Sequence, residues 1–150
     1  MVWESLFGAT NLVAVVGWAM LLFLPRRPLT HSAILFAGIG LLCLAYAGII
    51  TALVAGADPG QVRGAPAYVA SDYSIAGLRK LFGSDAGMVA GWTHYLAFDL
   101  FVGLWIGRDA DNKGFSRLIQ APILLLTFLA GPLGLLLWLV VREARARRRA

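Results

Sequence analysis

Four predominantly apolar runs, at about residues 6–24, 33–55, 88–107 and 118–141, constrain this chain more than any other feature. Each holds roughly 20 residues or more, and at about 1.5 Å rise per residue a helix of that length crosses a hydrocarbon core roughly 30 Å thick. A lone segment in lipid must satisfy its own backbone hydrogen bonds, so the runs read as helices. Hydrophobic residues make up 59% of the chain and charged residues 14%, which sets it apart from soluble domains. The expected architecture is all-α: a polytopic membrane protein with four transmembrane helices in one domain over residues 1–141, and a basic tail at 142–150.

The first run follows Glu4 without Lys or Arg, lacks a small-residue cleavage site and stops at Pro25-Arg26-Arg27-Pro28. It is expected to be a retained span and not a signal peptide. The net charge of +5 does not point to nucleic acid, because Arg142, Arg145, Arg147, Arg148 and Arg149 crowd directly behind an apolar helix with no interleaved aromatics. Such a cluster reads as a topology anchor. With four crossings, Arg63, Arg79, Lys80 and the tail share one side, and Arg26, Arg27, Arg108, Lys113 and Arg117 the other; the bias places both termini in the cytoplasm. An Ala, Gly and Arg bias with few Lys suggests a bacterial source, hence an inner membrane. Cys43 stands alone, so it forms no intramolecular disulfide or cysteine metal site and reads as a packing residue.

Between the second and third runs, Pro59, Gly60, Gly64 and Pro66 mark irregular backbone. Beyond them, Ile75, Leu78, Leu81 and Phe82 share a helical face away from Arg79 and Lys80, with Ser71 as N-cap. This predicts a short amphipathic helix in the membrane interface. Gly83, Gly87 and Gly91, and again Gly103 and Gly107, recur at the four-residue spacing of close helix packing. The GPLG run from Gly131 to Gly134 sets a proline inside the fourth run and predicts a kink.

Apart from tyrosines, the ionisable residues well inside the apolar runs are His94 and Asp99, both on the third. A central aspartate costs about 2.5–3.5 kcal/mol on insertion scales, so it persists where it faces the bundle interior with partners or where function requires it. Tyr95 and Asp99 lie one turn apart, whereas His94 and Asp99 are about 140° apart around a helix and cannot bond directly. His94 shares its face with Phe98, Phe101 and Trp105. If both termini share a side, depth counting sets Asn11 near His94, and Tyr46 and Thr127 near Asp99. His94, Asp99 and Tyr95 are the candidate catalytic residues; Trp92, Phe98, Phe101, Trp105, Asn11, Tyr46 and Thr127 are the candidate ligand contacts. The competing reading is an interhelical clamp without catalysis, since such polar contacts are widespread and average about 0.6 kcal/mol.

Two motifs are set aside. The loop from Asp109 to Gly114 resembles the opening of a calcium loop, but Lys113 occupies a ligand position and Gln120 stands where the bidentate Glu belongs, so no metal is expected. The His94-x4-Asp99 spacing matches an acyltransferase block, yet no accompanying substrate block follows.

The segment from Gly91 to Gly103, GWTHYLAFDLFVG, followed by Trp105 and Arg108-Asp109, resembles the abscisic-acid-deficient-four-like family. Asn11, Gly17-Trp18 and Leu22 through Arg26 are similar to its opening, and Ala121 to Trp138 to its closing helix. The resemblance implies a membrane protein acting on or binding a carotenoid or related isoprenoid, the plant reaction converting an epoxide end group of violaxanthin into an allene. That chemistry needs an acid for the epoxide oxygen and a base for a ring-adjacent proton, roles open to Asp99 and His94 with Tyr95 as relay. No cofactor is implied. Membrane lipids, a hydrophobic small molecule and an oligomeric or protein partner are the expected contacts. A non-catalytic assembly factor or subunit of a larger complex is the alternative function, and a small proton-coupled carrier a third.

Overall fold

The computed structural model describes residues 2–55 and 74–147. The described residues are helical, with no strand among them. Helix α1 spans Val2–Phe23. A second helix opens at Pro28, where the ring's fixed φ suits a first turn, and runs to Val54 as α2 (Pro28–Ala33), a π-helical stretch (Ile34–Gly40) and α3 (Leu41–Val54). Short α4 (Ile75–Phe82) and long α5 (Asp85–Asn112) are each opened by a serine whose hydroxyl accepts a backbone N–H: Ser74 from Gly77 at 3.0 Å and Ser84 from Gly87 at 3.1 Å. Helix α5 closes at Gly114, whose φ of +67° forms a Schellman turn: Phe115 N–H bonds Ala110 O and Gly114 N–H bonds Asp111 O. Helices α6 (Arg117–Leu129) and α7 (Gly131–Arg147) complete the chain.

Three helices are long and apolar enough to cross a membrane: Val2–Phe23, Pro28–Val54 and Asp85–Asn112. The fourth run does not form one continuous helix. In one continuous helix Trp138 would lie about 30 Å along the axis from Arg117. Instead Trp138 packs edge-on against Phe115 with ring centroids 5.0 Å apart. Its indole also donates to Asp109 at 3.1 Å, and Arg142 pairs with the same carboxylate at 3.4 Å. The chain therefore reverses at Ala130, which leaves helical geometry with φ −154° and ψ 70°. The GPLG segment makes a turn between two antiparallel arms, not a kink. Each residue has a part: Gly131 starts α7, Pro132 brings no N–H to an unsatisfied helix start, and a Cβ on Gly134 would collide with Thr127 of the facing arm.

This hairpin corrects the expected topology. The start of α1 packs beside the start of α5, where Trp3, Phe7, Asp85 and Val89 border one cleft, while Arg26 beyond α1 bonds the far end of α5. Helix α7 climbs to that same far end. The first and last described residues therefore lie at opposite ends of the bundle, against the expectation of a shared side. Ser74 caps α4, and Ser71 and Pro59 to Pro66 fall outside the described residues. Arg148 and Arg149 fall outside them as well. Cys43 is exposed on the outer surface of α3 and is no packing residue.

The core forms where α5 is wrapped by the other helices. Fully buried Leu100 seats against Gly17 of α1 and Gly38 of the π-helical stretch, and Trp18 lies over Gly103. The glycine spacing is thereby explained: Gly87 and Gly91 lie under Leu81 and Phe82 of α4, and Gly103 and Gly107 receive Trp18, Leu21 and Arg26. Trp18 also meets Phe128 of the hairpin edge-on at 5.4 Å.

Candidate functional site at the hairpin tip

Helix α5 holds Asp99 half-way along its length, about 20 Å from either end. It is 8% exposed and lies directly against Gly131, so closely that a Cβ there would collide with its carboxylate. Tyr95, one turn earlier, directs its side chain to the Asp99 carboxyl and to the Gly131 backbone. Asp99 Oδ2 is buried and has no hydrogen-bond partner. A carboxyl group at the start of α7 also lies at the positive end of that helix's dipole. Non-helical backbone at this depth is tolerated in a membrane only where protein or a polar cavity surrounds it, which Asp99, Tyr95 and the two arms provide.

The candidate contacts separate into two faces. His94 stacks on Phe98 at 4.5 Å between ring centroids and meets Tyr46 at 5.5 Å. His94, Phe98, Phe101 and Trp105 are all exposed on the outer surface of α5, away from Asp99. Trp105 carries the Arg142 guanidinium 5.6 Å above its ring. On the other face, Trp92 stacks on Tyr95 at 5.2 Å and meets Phe7, tilted, at 5.9 Å. Asn11 accepts from the Trp92 indole at 3.1 Å and donates to Phe7 O at 2.7 Å, so it serves Trp92 and not His94. Thr127 is fully buried and donates to Ile123 O at 2.8 Å within its own helix. Tyr46 belongs to the His94 face. Of the sequence candidates, only Tyr95 is brought to Asp99.

A second polar cluster ties the far end of the bundle together. Arg26, with its side chain 5% exposed, bonds Gly107 O and Asp111 at 3.0 Å each and the side-chain oxygen of Gln120. Gln120 in turn donates to Asp111 at 2.9 Å and to Phe115 O at 2.8 Å. Asp109 is held by Lys113, Arg142 and Trp138. The carboxylates that resembled a calcium loop are thus engaged by cations and amides.

Sequence reasoning missed Gly131, Phe7 and this cluster. The signals were present in part: a glycine beside the mid-run proline, a ring four residues before Asn11, and a glutamine at the head of an apolar run.

Fold and site together define a helical protein with three helices fit to cross a membrane and a carboxyl group buried at the tip of a half-depth hairpin. The chain belongs to the ABA DEFICIENT 4-like family, whose model matches residues 5–138, from the first turns of α1 to Trp138 in the second arm of the hairpin. No curated protein and no solved structure matches it.

Proposed function

We propose that this protein binds and isomerises a carotenoid or related isoprenoid in the membrane, with Asp99 and Tyr95 as the acid–base pair. The observation that carries the reading is the unpartnered Oδ2 of Asp99, buried against the hairpin tip beside Tyr95. A carboxyl group in an apolar protein region is costly to leave unused. Opening an epoxide end group to an allene is an isomerisation: a proton leaves the carbon next to the ring carbon, the carbon–oxygen bond breaks, and a proton reaches the oxygen. Neither oxidant nor reductant is consumed, so two neighbouring proton-exchanging groups suffice. His94 faces the other side of α5 and stands outside this pair. Replacing Asp99 by Asn in a pigmented host is expected to change the carotenoid profile on chromatography; an unchanged profile would overturn the reading.

The exposed His94-Phe98-Phe101 stripe favours a second reading, a subunit of a larger assembly. An imidazole turned to hydrocarbon is better accommodated when a partner covers it. Affinity purification in mild detergent separates the two, since recovery of the chain with itself alone counts against a scaffold.

The charge distribution over the folded chain supports a cytoplasmic C-terminus and an N-terminus on the opposite side of a bacterial inner membrane. Arg26, Arg27, Arg108, Lys113, Arg117 and Arg142 gather at one end of the bundle, against Arg79 and Lys80 at the other among the described residues.

A further inference from the structure

Because the hairpin stops at the level of Asp99, it leaves the half of α5 before Asp99 uncovered on that side among the described residues. Met88, Trp92, Tyr95 and Asp99 follow one another at four, three and four residues, along one face of the helix. Beyond Asp99, α6 and α7 pack on α5; before it, Met88 and Trp92 are exposed. Phe7 of α1 stands beside this strip, and the rings Phe7, Trp92 and Tyr95 form a ladder with steps of 5.9 and 5.2 Å that ends on the Asp99 carboxyl. Phe7 and Trp92 keep 40% and 39% of their surface open. The Asn11 hydrogen bond pins the Trp92 indole by its edge and fixes the orientation of the ring. At the foot, a cleft of about 270 Å³ opens between α1 and α5, bordered by Trp3, Phe7, Met88 and Asp85.

We infer that this ladder is the binding track for an elongated conjugated isoprenoid, which enters sideways from the leaflet opposite the C-terminal tail and presents one end group to Asp99. Two observations point to a ligand independently of the rings. The Asp99 oxygen at the end of the track is more than nine-tenths buried and has no partner, and the track is bounded above by the protein's own hairpin tip, which acts as a stop. Flat polarisable rings in series suit a flat conjugated chain, each contact adding dispersion and quadrupole attraction. The inference rests on the isoprenoid reading above and adds the route, the leaflet and the roles of Phe7, Trp92 and Asn11.

The test is a titration of the full chain in detergent with violaxanthin, read by the induced circular dichroism of the polyene band. Trp92→Leu and Phe7→Ala are expected to weaken binding at least tenfold, and Trp92→Phe, which keeps the stacking, to retain most of it. Phe98→Ala on the His94 face is expected to bind like the parent. Far-ultraviolet circular dichroism and the melting midpoint of each variant establish that it is folded. If the parent binds and Phe98→Ala weakens it while the ladder variants do not, the track is wrong and the isoprenoid reading survives. Equal binding by all four variants also sinks the track. A folded parent that binds no violaxanthin overturns both, as does a signal that phospholipid displaces at equal concentration.

Discussion

Asp99 and Gly131 meet so closely that the smallest side chain added to Gly131 would collide with the Asp99 carboxylate. They are 32 residues apart in the chain. Their contact fixes the depth at which the closing hairpin stops and seals one side of the carboxyl group while leaving an oxygen unpartnered.

Gly131→Ala should therefore destabilise the fold by about 1–3 kcal/mol, the usual cost of forcing extra volume into a packed site. Paired with Asp99→Ala, part of that loss should return, because the colliding group is gone. Thermal unfolding of the two single variants and the double variant in one detergent gives the coupling; strict additivity would show that the two residues do not meet.

Gly134→Val should separate the hairpin arms, since its side chain would run into both the hydroxyl and the backbone of Thr127. The expected result is a lowered melting midpoint and new protease cleavage between residues 129 and 134. Resistance equal to the parent would argue for a continuous fourth helix.

Arg26→Ala removes a buried side chain that joins the segment after α1 to α5 and α6, and leaves the Gln120 amide oxygen and the Gly107 carbonyl short of a donor. A loss of about 2 kcal/mol is expected, in the range of a charged hydrogen bond broken at a buried site. Arg26→Lys should recover little, because an ammonium cannot reproduce a planar fork of donors. Melting midpoints of the three proteins decide it.

The hairpin predicts opposite sides for the two chain ends. In a bacterial host, green fluorescent protein fused after Ala150 should fluoresce, and alkaline phosphatase at the same position should be inactive. A protease-sensitive tag before Met1 should be cleaved in intact spheroplasts. Two ends reporting from one side would restore four crossings.

The glycine pattern on α5 was readable as packing because a four-residue spacing marks one helix face whatever lies opposite, and the partners proved to be α1 and α4. The separation of His94 from Asp99 was equally legible, being a property of the helix alone. The failure at GPLG has a definite cause. A proline inside an apolar run is compatible with a kinked span or with a reversal, and the two differ only in long-range contacts: Trp138 to Phe115 and Asp109, and Gly134 to Thr127. Reading the run as one crossing set the basic tail on the same side as the N-terminus.

The sequence by itself determined the helical class, the three long spans and the isolation of Asp99 in an apolar stretch, because length, hydropathy and helical periodicity act locally along the chain. Only the tertiary structure decided that the fourth apolar run folds back, that Gly131 closes on Asp99, and that Phe7 and Asn11 of α1 meet Trp92. Those are contacts between residues far apart in the chain, set by which side chains fit against which backbone, and no local pattern encodes that fit.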